Sequence, residues 1–263
     1  VLDLYGTIGG SPCGILSFMK RVESREGEGR VFSTYTYENG DQALEAYAAL
    51  TDEQRLAMAK VYQEAFGGYP WFEVFKCNQC DEFTKTNDSC SHCGGASFSE
   101  AYPLEWLVNE YFPHMMGAYT PGVLVILEDE GRMIGFTTGG AIGLGQLIQD
   151  KYKGKPEILA SIIGQTGVSP AAVVFYENET CILATSQQKG SGGKLNLARI
   201  EAASEIGFPL ICGRSVNQPW ISLKERQLTG LGYDFMAFGP DGDTYEVEGT
   251  RRQFFMARRR SHG

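Results

Sequence analysis

The chain has 263 residues, 43% of them hydrophobic, which is enough for one large core or two modest ones. Its net charge of −9 argues against docking on phosphate backbones, where affinity comes from clustered Lys and Arg, so nucleic acid is not an expected partner. There is no apolar run of about 18 residues, and the first residues lack a basic segment followed by an apolar block, so neither a membrane span nor a signal peptide is expected.

Residues 1–30 are Gly-rich and offer no assignable role. Val31–Tyr37 alternates as a strand does, and Glu38–Asp41 reads as a turn. Thr51-Asp-Glu-Gln54 is a capping-box pattern that opens a helix running to Phe66, where Gly67-Gly68 stops it. The aromatics Tyr69, Trp71 and Phe72 lead into a cysteine cluster. A second helix is expected over 102–116, with Pro113 blurring its end. Val123–Leu127 and Met133–Phe136 read as a hairpin, followed by a Gly-rich stretch, 137–170, with helical pieces at 144–152 and 156–163. Ala171–Phe175 and Thr180–Ala184 read as one long strand or two pieces of it. A helix from Gly192 to Ile206, a buried strand Pro209–Cys212, a helix over 219–229 and a closing hairpin (Tyr233–Phe238, the turn 239–242, Arg251–Ala257) complete the chain. The terminal arginines 251, 252, 258, 259 and 260 read as a solvated last strand and tail. Strands alternating with helices and ending in a hairpin indicate an α/β domain with a mixed sheet.

Four of the seven cysteines form two Cys-x-x-Cys pairs, Cys77/Cys80 and Cys90/Cys93, with nine residues between them. Each pair can aim two thiolates at one tetrahedral ion, and Gly94-Gly95 lets the backbone bend round the sulfurs. A redox site needs only one pair, and a disulfide suits a secreted chain. The spacing therefore points to structural Zn²⁺ in a reducing, cytoplasmic setting. Four thiolates fill the shell and leave no open position for catalysis, so His92 is a bystander. So short a piece builds no core of its own, and metal would supply on the order of 10 kcal/mol of its folding free energy.

A second feature is the run Thr180–Leu195: an apolar strand, a Gly-rich turn, then an amphipathic helix whose free N-terminal amides suit phosphates. Lys189 and Lys194 add charge. The Walker and dinucleotide patterns both fail at Leu195, and the Walker pattern also lacks a Gly at Gln188. Gln187-x-x-Gly190-x-Gly192 instead resembles the Gln/Arg-x-x-Gly-x-Gly/Ala motif of the GNAT acyltransferase superfamily. The helix over 51–66, the 123–136 hairpin and Leu231-Gly-Tyr233, which is similar to the family's Leu-Gly-Phe, extend the resemblance across 50–258. On that reading a zinc ribbon, 75–97, is inserted in the acyltransferase domain. Residues 1–49 form an N-terminal extension able to contribute a strand. The fold implied is a mixed, mostly antiparallel central sheet flanked by helices.

The resemblance implies an acyl-CoA-dependent N-acyltransferase, with acetyl-CoA or another acyl-CoA as cosubstrate and an amine as acceptor, small molecule or protein. Backbone groups of Ile182, Leu183 and Ala184 would pair with the pantetheine arm. Gln187 opens the motif, amides from Gln188 through Lys189, Gly190, Ser191, Gly192 and Gly193 would hold the pyrophosphate, and Asn217 would lie near the cofactor. Direct attack on the thioester needs a base and an acid. Glu177 and Glu179, two apart and so expected on one face of the strand, are candidate bases or solvent-facing residues. The family's usual Tyr acid falls on Leu228, which has no proton to give. Tyr233 is the nearby candidate, with a core role as its alternative, and Cys212 reads as a small buried hydrophobe. The missing Tyr leaves open a catalytically degenerate, GNAT-like zinc protein serving as a binding or regulatory module. The acidic charge favours a cationic acceptor such as a polyamine, an aminoglycoside or a lysine side chain. Residues 137–170 with Tyr69, Trp71 and Phe72 are the candidates for its pocket. Nothing in the sequence sets the oligomeric state.

Overall fold

The computed structural model describes residues 20–26, 29–68, 71–152, 156–187, 190–215, 218–238, 244–247 and 250–261. The strand Gly122–Asp129 (β6) carries Val123, Leu124, Val125, Ile126 and Leu127, all buried, so both of its faces are covered by helices. Its odd-numbered side chains enter one core and its even-numbered ones another. Around it the sheet runs β1 (Lys20–Glu26), β2 (Arg30–Tyr37), β6, β7 (Arg132–Gly143), β8 (Val173–Ile182), β9 (Leu210–Ser215), β12 (Thr250–Arg259), β10 (Tyr233–Phe238), and β11 (Thr244–Val247) pairs with β12. Every pairing in it is antiparallel except β8 with β9. This is the expected fold class, a mixed and mostly antiparallel sheet flanked by helices. Residues 20–48 supply β1, β2 and α1 (Gly40–Ala48) to the same sheet and cores.

On one face lie α7 (Ser191–Ile206) and α8 (Gln218–Gly230), packed on Val125, Phe175, Ile211 and Phe255. On the other, α1, α2 (Asp52–Gly67) and α4 (Phe112–Ala118) cover Leu124, Ile126, Phe136 and Cys181. Next to them on that face, α5 (Leu144–Lys151) and α6 (Pro156–Thr166) cover Val174, Tyr176, Cys212 and Phe254. Tyr119 packs against both of these cores and so marks the seam between them.

Two departures from the sequence reading have local causes. Asn39, read as part of a turn, caps α1, and its side chain accepts from the Gln42 amide. The expected helix over 102–116 is α3 (Leu104–Trp106), a π-helical turn (Leu107–Tyr111) and α4 in succession. The Phe112 amide bonds back to the Leu107 carbonyl, and this wider turn falls just before Pro113, which has no N–H to give. The capping box of α2 is present in full, with Thr51 accepting from the Gln54 amide and Gln54 from the Thr51 amide.

The cysteine-bearing insertion is a small three-stranded sheet, β4 (Phe83–Thr84), β3 (Phe75–Cys77), β5 (Phe98–Glu100). It is joined to α2 by Tyr102, which stacks on Phe83 at 5.5 Å, meets Tyr62 edge-on at 5.2 Å and donates its hydroxyl to Glu73.

Candidate functional site

The four cysteine sulfurs converge, all within 4.8 Å of one another, with Cys77 Sγ 3.6 Å from Cys93 Sγ and Cys80 Sγ 3.5 Å from Cys90 Sγ. A tetrahedron of thiolates about 2.3 Å from a zinc ion has edges of about 3.8 Å, so the donor set fits such an ion. The two turns match. The Asp81 amide bonds to the Cys77 carbonyl and the Gly94 amide to the Cys90 carbonyl, and both residues sit in the left-handed region, at φ 61° and 73°. Backbone amides of Cys93 and His92 draw the Cys90 thiol down to about 7 against the opposing effect of burial. A Cβ on Gly95 would lie 3.2 Å from the Cys93 sulfur, and His92 is exposed.

At the Gly-rich turn, Gly190 caps α7 with φ 75°, a conformation that favours glycine. Ser191 follows it, and its hydroxyl is buried with no hydrogen-bond partner among the described residues. An orphaned donor at a helix N-terminus is what a bound phosphate would satisfy. Gly192 and Gly193 face α8, where a Cβ on Gly192 would meet the Trp220 ring at 2.6 Å and one on Gly193 would meet Leu223 at 3.2 Å. Their small size serves helix packing as well as any ligand. Gln187 lies beside the end of β8, its amide 3.4 Å from the Ile182 carbonyl. The Leu183 amide is held by the Ile134 carbonyl, and the Ala184 amide by the Glu64 carboxylate of α2 at 2.8 Å. Gln188, Lys189 and Asn217 lie outside the described residues.

Below this turn the two parallel strands part. β8 and β9 pair only at Phe175–Ile211, Tyr176–Cys212 and Glu177–Gly213. Beyond those pairs β8 continues to Ile182 and β9 to Ser215, leaving a wedge that opens toward the N-terminus of α7.

The register of β8 against β7 shifts between Gly139–Glu177 and Thr137–Thr180. This bulge corrects the expectation that Glu177 and Glu179 share a face. Phe175 and Ile182 pack in the α7 core, whereas Tyr176 and Cys181 pack opposite, so the odd positions change sides across the bulge. Glu177 points toward α7. It is buried and bonded to Arg199 Nη2 at 2.5 Å and to the Lys224 ammonium. Asn196 Oδ1 accepts from both cations, at 2.6 and 2.8 Å, and its amide donates to Gln227, which bonds to the Gly193 carbonyl. Arg199 Nη1 also donates to the carbonyls of Thr138 and Glu179, at 2.9 and 3.0 Å, the backbone of the bulge itself. Burial lowers Lys224 to about 8 against the pull of Glu177, and it lowers Arg199 as well. Glu177 thus belongs to a buried ion cluster, and its other oxygen, Oε1, is buried with no hydrogen-bond partner among the described residues. Arg199, Asn196 and Lys224 escaped the sequence reading. A charged residue four positions after Leu195, on the apolar stripe of α7, was the available signal.

Glu179 lies on the other side, half-buried, close enough to act on Tyr62 of α2, Tyr111 of the π-helical turn and Tyr119, which follows α4. Tyr62 donates its hydroxyl to that of Tyr111 at 3.0 Å, and their rings are 5.3 Å apart. Burial first, and then the Glu179 carboxylate, push both phenols well above their ordinary range. Tyr102 and Tyr119 are raised by burial too, with Glu179 a smaller contributor to each. Tyr233, the other candidate, is fully buried in the α7 core, with its hydroxyl on the Phe208 carbonyl. Leu228 is buried beside it, and Cys212 is buried with its thiol raised by desolvation. Trp71 packs on Phe66, and the Lys85 ammonium sits over Phe72, so both aromatics belong to the seat of the insertion. Tyr69 lies outside the described residues.

No protein-family model matches this chain, and no curated protein matches its sequence. Solved structures similar to it include three acetyltransferase structures. One is a protein from Desulfovibrio desulfuricans assigned to the GNAT family, 10% identical over 86% of this chain and 98% of that one, with a TM-score of 0.41. Another is a Salmonella typhimurium protein assigned as an acetyltransferase and solved with its cofactor acetyl-CoA, 12% identical over 88% and 95%, with a TM-score of 0.42. The third is a ribosomal-protein-alanine N-acetyltransferase from Brucella melitensis, 14% identical over 80% and 96%, with a TM-score of 0.41.

Proposed function

We propose that this protein is an acyl-CoA-dependent N-acyltransferase, with acetyl-CoA as donor, that acylates an amine by direct attack on the thioester. One observation carries the reading. The wedge between β8 and β9 has a phosphate-suited turn with an orphaned Ser191 hydroxyl at its mouth and a carboxylate, Glu179, on the sheet face opposite α7. A bound acyl-CoA would supply the activated thioester. Amides from Gly190 to Gly193 and the Ser191 hydroxyl hold its pyrophosphate, with Gln188, Lys189 and Asn217 as further candidates. Ile182, Leu183 and Ala184 line the path of the pantetheine arm, which takes the Ala184 amide over from Glu64. The amine nitrogen forms a bond to the carbonyl carbon while the carbon–sulfur bond breaks. Glu179 takes the ammonium proton. Tyr111 and Tyr119, still protonated at neutral pH, are the donors available to the leaving thiolate, in place of the absent Tyr at Leu228.

The cysteine centre holds Zn²⁺ as a brace, since four thiolates leave no coordination position open. A metal held by thiolates suits the reducing cytoplasm, and among the described residues no helix is long and apolar enough to cross a membrane. Leu228 favours a second reading, a catalytically degenerate binding module on the same fold. The two part in one assay. With acetyl-CoA and a panel of amines, the first expects thiol release that falls about 10²–10⁴-fold in Glu179→Gln with the KM for acetyl-CoA little changed. The second expects acetyl-CoA binding and no thiol release from any amine.

A further inference from the structure

The seam beside Glu179 also carries two cations. Lys151, at the end of α5, and Arg214, on β9, are both half-buried. The Lys151 ammonium lies 5.4 Å from the centre of the Tyr176 ring, and the Arg214 guanidinium 5.5 Å from that of Tyr152. Arg214 Nη1 caps the last turn of α5 through the Lys151 carbonyl at 3.2 Å, but its Nε is buried with no hydrogen-bond partner among the described residues. Among the described residues neither cation has a carboxylate within ion-pair distance. The Tyr119 ring is 6.1 Å from that of Tyr176, and Tyr119, Glu179 and Arg214 all act electrostatically on Lys151. Across the bulge Tyr176 and Glu179 share the sheet face opposite α7, so this seam has an acidic end at Glu179 and a basic end at Lys151 and Arg214, with phenols between.

Both cations feel the Glu179 carboxylate but pair with no carboxylate at close range among the described residues, and the orphaned Nε marks a donor still to be satisfied. A guanidinium offers a planar fork that suits a carboxylate. A polycationic acceptor would meet these cations head-on, so the local field opposes what the net charge of the whole chain suggests. We propose that the acceptor is a small amino acid, its amine at Glu179 and its carboxylate at Lys151 and Arg214. This rests on the acyltransferase reading of the same site.

The test uses matched pairs: glycine, β-alanine, γ-aminobutyrate and phenylalanine against methylamine, ethylamine, propylamine and phenethylamine. Binding is read by calorimetry on the protein with and without saturating CoA, which carries no acyl group to transfer, and turnover is read separately with acetyl-CoA. At least one amino acid is expected to bind, and to be acylated with kcat/KM at least about 10-fold above its decarboxylated partner. Lys151→Met and Arg214→Met are each expected to erase that ratio while the acetyl-CoA Kd stays within about twofold. Lys151→Met is the safer variant, since Arg214 also caps α5. Amino-acid binding that Lys151→Met abolishes supports the proposal even without turnover. Equal binding of acids and amines, a ratio unchanged in both variants, or no binding by any amino acid overturns it. The acetyl-CoA Kd of the unaltered protein separately judges the acyltransferase reading.

Discussion

Arg199 and Glu177 show how one register shift sets the chemistry of two carboxylates. The bulge turns Glu179 to the face opposite α7, and Arg199 holds the bulge by bonding its carbonyls from behind. Glu177 and Asn196 in turn satisfy Arg199. Removing one member of such a buried set leaves an uncompensated charge. Arg199→Met is therefore expected to lower unfolding stability by about 3–5 kcal/mol in urea titration, with Glu177→Gln restoring part of it in the double variant. Lys224 gives the cluster a pH signature. Its folded-state value of about 8 lies below the 10.5 of an exposed lysine, so between those values the unfolded chain binds more protons. Stability from this group therefore rises with pH through that window. Denaturation midpoints compared across it should show a rise that is absent in Lys224→Met, and a fall from pH 8 upward in the unaltered protein that Lys224→Met removes would contradict the assignment. None of this was legible in the sequence. A period of two puts residues 177 and 179 on one face, and only the pairing with β7 reveals the extra residue.

Elements announced by local chemistry were legible, and those that depend on context were not. The α2 capping box is a purely local pattern, and Thr51→Ala is expected to lower stability by about 1 kcal/mol in thermal or chemical melts. Asn39 suits a turn and a helix cap equally, and the packing of α1 on α4 decided between them. The two Cys-x-x-Cys turns were also legible, because ligand spacing is a local constraint. Each chain is expected to carry one zinc by elemental analysis. Chelation or Cys77→Ser should release it and open residues 75–100 to protease while the central sheet resists. Residues 75–100 staying resistant without metal would show that the insertion folds on its contacts with Tyr102 and α2 alone.

At the scale of the molecule, the alternation of strands and helices disclosed a mixed sheet, but only the three-dimensional order shows where its two parallel strands separate. That separation lies between the Gly-rich turn and Glu179, which belong to opposite faces of one sheet. The motif Gln187-x-x-Gly190-x-Gly192 located the turn. The proposed acceptor side stayed hidden because Glu179, Lys151 and Arg214 come from β8, α5 and β9, which are brought together only by the fold. The central claim is that the wedge holds an acyl-CoA. Acetyl-CoA added at 100 times its Kd should stabilise the protein by about 2.7 kcal/mol, seen as a concentration-dependent rise in melting temperature. Gly190→Val, which puts a branched side chain at a positive φ in the turn, should abolish that rise. A melting temperature unchanged up to millimolar acetyl-CoA would contradict the account.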